Sequence, residues 1–397
     1  MKKLIFLILV FFNLSVFAQN KMLKDFLSKN INIVKLDSVK EILDSDFLAS
    51  RQRIQKYLEN TNGISRFKEG DVIKEIYDIS VEGKPLYYST SNVNAGITVR
   101  SNHLYENGSL GLSLQGQNMT VGVWDGGSAR TTHAEFNNRV TAINDAPIAN
   151  HATHVVGTIV ASGNANSLLK GIAYQANALS YDWTNDTSEM TLAYQFFNIL
   201  VSNHSYGPDA TTSPLWLFGG YDNKAKSFDL LTFTTEYLLP VCAAGNDRDS
   251  FGTLNPTKSG FDLVSGFSTA KNVLTVGAVN QVLNYTSPNN VTMSSFSNWG
   301  PTDDGRIKPE VVAKGVNVRS TTSATDFSNG VLDGTSMASP AVAGVGILLQ
   351  QHYLNLFSQP MLAATLKGLI MHTADEAGIF PGPDYRFGWG LVNAREA

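Results

Sequence analysis

From Met119 onward, short runs of apolar and β-branched residues alternate with longer stretches whose apolar positions recur at helical spacing. That alternation predicts an α/β fold with a mostly parallel central sheet flanked by crossover helices. The strands assigned this way are Thr120–Trp124, Ala178–Asp182, Ile199–Asn203, Pro240–Ala244, Val273–Val279 and Glu310–Val316. One helical stretch has no polar face: it follows Gly334-Thr335-Ser336-Met337-Ala338-Ser339-Pro340 and runs from Ala341 to Leu349, small and apolar throughout. A helix of that composition is buried all round, and its small residues let neighbouring backbone come close. Pro340 is expected within about one turn of its start, where a missing N–H costs least.

The N-terminal pattern differs. Lys2 and Lys3 precede an apolar run from Leu4 to Phe12, and Val16-Phe17-Ala18 offers small residues for cleavage, so residues 1–18 read as a secretory signal peptide. The run is too short to cross a membrane, and no later stretch approaches about 20 apolar residues. Residues 19–93 are rich in Lys, Asp, Glu, Leu and Ile, with Phe26, Ile31, Val34, Leu36, Val39 and Ile42 at mixed spacing. A helix followed by strands is expected, with Ile76–Ile79 and Pro85–Tyr88 flanking a Val81-Glu82-Gly83 turn. Residues 94–397 then form the main domain, in a chain of 397 residues that can bury a sizeable core.

Composition removes several function classes. With 30 basic and 34 acidic residues, net −4, there is no footprint for nucleic acid or an anionic membrane. A single cysteine rules out an intrachain disulfide, and Cys242, inside the apolar run Leu238–Ala244, reads as a small core residue.

The candidate chemistry sits where strands end, the rim on which open α/β sheets place their sites. Asp125 closes Val-Gly-Val-Trp-Asp, and a buried carboxylate there needs a partner. His151 and His154 open a helical stretch at i, i+3, with neither an HExxH spacing nor a recognisable ligand cluster to make them a metal site. Asn246 follows Ala243-Ala244-Gly245, and Ser205-Tyr206-Gly207 follows an apolar strand. Ser336 falls at a helix N-terminus, where unpaired N–H groups and the helix dipole favour a developing negative oxygen. Taken singly, each has a plain structural reading: a turn aspartate, a capping serine, a turn asparagine, a strand end.

Together and in this order, the motifs resemble the subtilisin-like serine proteases, the subtilases, over roughly Gln115 to Ala397; GTSMASP is the most specific of them. The resemblance implies a subtilisin-like fold and a secreted endopeptidase acting on polypeptides through an acyl-enzyme, with Ser336 as nucleophile, His151 as general base and Asp125 orienting it. It implies that Asn246 and the Ser336 backbone N–H hold the oxyanion, and that Ser205, Tyr206, Gly207 and Gly245 contact the substrate, the first three as a strand that pairs with an extended peptide. His154 becomes a packing residue, and Ala152 stands where the family usually has Gly. Residues 19–93 become a small α/β prosegment, an intramolecular inhibitor, rather than an ordinary subdomain. The chemistry needs no cofactor; structural calcium is frequent in the family, though no loop here names its ligands. The chain is expected to act as a monomer. His133 and His204 are surface or packing residues, and the mixed-sign run Asp247-Arg248-Asp249 lies near the substrate pocket. A binding-only protein or an esterase on the same fold remain the alternatives.

Overall fold

Seven parallel strands form the centre of the molecule, in the order β11-β10-β9-β7-β4-β6-β5. They are β4 (Thr120–Asp125), β5 (Val140–Ala142), β6 (Asn177–Asp182), β7 (Val201–His204), β9 (Leu239–Ala243), β10 (Leu274–Val279) and β11 (Val311–Lys314). This computed structural model describes residues 21, 23–61, 63–69, 72–80, 83–89 and 96–397; the expected signal peptide (1–18), Val81 and Glu82 of the expected turn, and the expected 93/94 boundary lie outside them. Every residue of β7, β9, β10 and β11 is buried, as expected of parallel strands covered on both faces. The chain runs from β4 outward to β5 and β6 on one side, then returns to β7 on the other. The switch in direction therefore falls between β6, β4 and β7, and a crevice opens beyond their carboxyl ends.

Helices cover the two faces: α2 (Asn150–Val160), α3 (Asp186–Phe197), α4 (Asn223–Thr234), α5 (Thr335–Phe357) and α6 (Ala363–His372). The apolar helix expected after Ser336 is α5, buried continuously from Thr335 to Gln351. It lies across β7, β9, β10 and β11 and against α2. Gly344 lets α5 approach the segment that follows α2, since a Cβ there would meet the Ile172 Cβ at 2.5 Å. Pro340 is not in the first turn as expected; it sits inside the second, where its missing N–H leaves the Ser336 carbonyl without a helical donor.

The N-terminal residues form α1 (Ile33–Thr61) and an antiparallel sheet of β1 (Arg66–Glu69), β2 (Val72–Ile79) and β3 (Pro85–Ser89). Leu36, Val39 and Leu43 of α1 join the main hydrophobic core, packing toward α3 and α4, while Val34 and Ile42 face solvent. β3 continues the sheet onto the body by pairing antiparallel with β8 (Gly207–Pro208), Tyr88 opposite Pro208 and Ser89 opposite Gly207. The remaining strands, β12 (Val318–Thr321) and β13 (Asn329–Leu332), form a separate hairpin against α2.

One buried charge cluster supports the β10–β11 side. Glu310 receives Lys308 Nζ at 2.8 Å and Lys367 Nζ at 2.7 Å on Oε1, and the Thr275 N–H at 2.7 Å on Oε2. Burial pushes the Lys308 ammonium down to about 8. Burial also pushes the Glu310 carboxyl up, but the two ammonium groups outweigh it and hold it below the ordinary range. Removing the carboxylate strands two cations, a loss of about 3–5 kcal/mol for a buried pair. Glu310→Gln is therefore expected to lower the unfolding free energy measured by denaturant titration by that amount, and an unchanged midpoint would refute this account of the cluster.

Candidate active site

β4, β7 and β9 are neighbours, and their carboxyl ends deliver Asp125, Ser205 and Asn246 to one rim. Asp125 is the last residue of β4 and has no exposed side-chain surface. His151, in the first turn of α2, places Nδ1 2.7 Å from each Asp125 oxygen, and Gly126 donates its N–H to Oδ1 at 2.7 Å. With Nδ1 directed to the carboxylate, Nε2 is the ring atom able to accept a proton. Ala152, at the position where a glycine was expected, is an ordinary buried helical residue.

Ser336 stands in the first turn of α5, its Oγ donating to the Ser205 carbonyl at 3.0 Å. In return the Ser205 hydroxyl donates to the Ser336 carbonyl at 2.7 Å, the carbonyl that Pro340 leaves without a donor. Asn246 is fixed from the opposite side. Its Oδ1 accepts from the Thr335 N–H at 2.7 Å and the Thr335 hydroxyl at 3.0 Å, and Gly245 donates its N–H to that hydroxyl at 3.1 Å. The amide carbonyl is thereby committed, and the NH₂ is the end able to donate to an anionic oxygen. Gly245 is required at this bend: its φ is +103°, and a Cβ would lie 2.3 Å from the Asn298 amide nitrogen.

Between the two segments lies a pocket of about 210 Å³, lined by Tyr206–Pro208 on one side, Ala243–Asp247 on the other, and Ser265, Ser268, Asn298, Thr335 and Ser336. Tyr206 is anchored from behind, its hydroxyl donating at 2.6 Å to the fully buried Asp186, which Lys224 also meets at 2.6 Å. Gly207 pairs with the N-terminal strand β3 rather than with solvent.

Of the remaining histidines singled out in the sequence, His133, His154 and His204 are all buried packing residues, and neither His133 nor His204 reaches the surface. His204 stacks on Trp124, and burial pushes it down to about 3. Neither ring nitrogen of His154 makes a hydrogen bond of good geometry, although backbone at Val318 and Gly330 lies close enough to favour the charged ring; burial, then the neighbouring His151, outweigh that and hold it down to about 3. Cys242 is buried, and its thiol is pushed well up by burial. Among the described residues no group of three or more His, Cys, Asp or Glu could hold a metal ion. The buried Glu135 shows why its own loop does not fit calcium: it is wrapped by donors, the Ser162 hydroxyl and the Asn164 and Asn166 N–H groups, where calcium needs oxygens.

Sequence reasoning missed Thr335, Asp186 and Asn298. Thr335 stood inside the singled-out Gly-Thr-Ser motif. Asn298 carried a weak signal, an asparagine before Trp299-Gly300-Pro301, and it accepts from the Asp247 N–H while donating to the Asp247 carboxylate. Nothing local links Asp186 to Tyr206.

A carboxylate–imidazole pair on the same rim as a hydroxyl at a helix N-terminus, with an amide held next to that turn, is the kind of constellation that serves acyl transfer by a serine hydrolase. The chain belongs to the subtilase family, peptidase family S8, whose profile matches residues 43–390. It is 25% identical to the serine protease AprX of Bacillus subtilis over 72% of this chain and 67% of that protein. It is 29% identical to the M-protease of Shouchella clausii over 72% of this chain and 65% of that one, and 27% identical to the alkaline extracellular protease of Yarrowia lipolytica over 67% and 54%. The chain thus spans between about half and two thirds of the length of these curated relatives. Among solved structures, the prenylagaramide maturation protease PagA shares the fold, with a TM-score of 0.53 and 22% identity over 70% of this chain and 91% of that one.

The burial of His154 has a consequence for acid stability. Its folded-state value, about 3, lies below the roughly 6.5 of an exposed imidazole, so between those values the unfolded chain binds the extra proton and stability falls as pH falls. His154→Leu, which cannot charge, is expected to lose less stability than the wild type between pH 7 and pH 4 in denaturant titrations. An equal or steeper loss would show that His154 is not buried neutral.

Proposed function

We propose that the protein is a secreted serine endopeptidase, made as a precursor, that cleaves polypeptides through an acyl-enzyme. The observation that carries this reading is the Asp125–His151 pair on the same rim as Ser336, with the Asn246 carbonyl end locked by Thr335. In the forward step the Ser336 hydroxyl turns from the Ser205 carbonyl to His151 Nε2, gives up its proton and attacks the scissile carbonyl. The oxyanion takes hydrogen bonds from the Asn246 NH₂ and the Ser336 N–H, at the positive end of α5. The imidazolium, steadied by Asp125, protonates the leaving amine, and water repeats the sequence to release the acid. Residues 19–93 act as the prosegment: β3 lies on the edge that an extended substrate needs, which supports an inhibitory role. The apolar run at Leu4–Phe12 supports export.

Casein digestion by the processed protein tests the reading. Ser336→Ala is expected to cut at least about 10³-fold more slowly, and Asn246→Ala about 10²–10³-fold more slowly, the latter figure being that of the corresponding asparagine in subtilisin itself. Activity of Ser336→Ala equal to wild type would end the proposal, and cleavage of small esters alone would favour an esterase.

The structure also bounds the processing site. β3 ends at Ser89, whereas Thr98 and Val99 are already bonded into the body through Val282 and Ala394. The mature N-terminus is therefore expected between residues 90 and 98. A sequenced N-terminus inside α1 or beyond Arg100 would contradict that boundary.

A further inference from the structure

The pocket beside Ser336 takes the side chain on the acyl side of the scissile bond, given the endopeptidase reading on which this inference rests. His151 protonates the leaving amine, so the leaving side lies toward His151, which does not line the pocket, while Ser336, Asn246 and the strand edge at Tyr206–Pro208 do. What the pocket offers that side chain is decided by one residue.

Of the run Asp247-Arg248-Asp249, only Asp247 lines the pocket. Arg248 is turned away, its guanidinium 3.5 Å from the centre of the Trp299 ring and donating to the Ser295 carbonyl. Asp249 accepts from the Ser295 hydroxyl. The mixed sign of the sequence is thus sorted in space, and among the described residues Asp247 is the only charged one in the lining. Its Oδ2 is occupied, by the Asn298 amide at 3.0 Å and the Asn246 N–H at 3.3 Å. Among the described residues no hydrogen bond reaches its Oδ1, and the residue is only half-buried. The rest of the lining is polar or small: Ser265, Ser268, Asn298, and the Ala243–Gly245 segment. A large apolar side chain placed here would bury that oxygen unpaired, which costs about 1–3 kcal/mol and more for a charged group.

We propose that Asp247 is a specificity-determining residue that selects a cationic side chain, lysine or arginine, immediately before the scissile bond. The ammonium or guanidinium donates to Asp247 Oδ1 while the side-chain stem runs between the Tyr206–Pro208 and Ala243–Gly245 walls. Burial already pushes the Asp247 carboxyl above its usual range, so this acid is held at a cost that a bound cation relieves. Residues 85–99 contain neither Lys nor Arg. The cut that frees the prosegment therefore relies on tethering, which raises the local concentration of the linker, rather than on this pocket.

The test is a set of fluorogenic peptides, identical except for Lys, Arg, Phe, Leu or Glu before the scissile bond, given to the processed full-length enzyme, with cut positions confirmed by mass. The expected kcat/KM for Lys and Arg exceeds that for Phe and Leu by about 10-fold or more and that for Glu by about 100-fold, the scale of a hydrogen bond to a charged group. Asp247→Asn is expected to reduce the Lys-to-Glu ratio by about 10- to 100-fold, and Asp247→Glu, which keeps the charge, to retain a Lys-to-Glu ratio above ten. Phe or Leu peptides cut as well as Lys peptides by the wild type would overturn the inference and leave the endopeptidase reading standing. An unchanged ratio in Asp247→Asn would likewise overturn it. No cleavage of any peptide by folded, processed enzyme would instead remove the endopeptidase reading, and this inference with it.

Discussion

The reciprocal hydrogen bonds between Ser205 and Ser336 are the constraint on which the site depends. Pro340 denies the Ser336 carbonyl its helical donor, and a buried unpaired carbonyl would cost about 1–3 kcal/mol. The Ser205 hydroxyl fills that place at 2.7 Å, so the proline in the second turn of α5 obliges the helix to dock on the end of β7. The first turn of α5, which carries the Ser336 hydroxyl, is therefore positioned by backbone satisfaction. Its side chain is left to rest lightly on the Ser205 carbonyl at 3.0 Å, from which it can turn.

The same logic repeats on the neighbouring strands. β9 is tied to α5 by the Gly245–Thr335–Asn246 bonds, and β4 is tied to α2 by the Asp125–His151 pair. Three adjacent strand ends thus grip the N-termini of two helices, α5 and α2, through polar contacts, so the donors and the imidazole are held in place before any substrate arrives. Electrostatic stabilisation is most effective in that condition, because no dipole has to reorganise during the reaction. The neutrality of His154 serves it too, since a second buried cation near His151 would oppose the imidazolium that the proposed mechanism needs.

The sequence revealed most where one physical rule acts alone. Runs such as Val273–Val279 are apolar because a doubly covered parallel strand has no wet face, and β10 lies where that run predicted. The residues at strand ends were legible because a parallel sheet sends them all to one rim. Rules that compete were harder to read. Ile199 and Leu200 are apolar enough to join a strand but only lead into β7, which runs on to His204, a buried histidine that composition alone would place near the surface. Val34 and Ile42 look like core residues, yet the buried stripe of α1 follows Leu36, Val39 and Leu43 instead. Contacts such as Asp186 with Tyr206, and the turning of Arg248 away from Asp247, depend on side-chain direction in three dimensions, which no linear pattern records.

The exposed requirement of such a site is its open strand edge. In the proposed endopeptidase, Gly207 and Pro208 present backbone that must be free to pair with a substrate, and an unpaired edge is open to any extended chain. Here β3 covers it, and the cover is held by more than pairing, because Leu36, Val39 and Leu43 share the core of the body. Cutting between Ser89 and Thr98 would break none of those contacts. It would change the pairing from an intramolecular event, with an effective concentration set by a short linker, into a bimolecular one that dilution can reverse. In the proposed precursor, release of the edge is thus governed by mass action after the cut, and a segment that packs this deeply must be lost slowly or be degraded before the site is fully open.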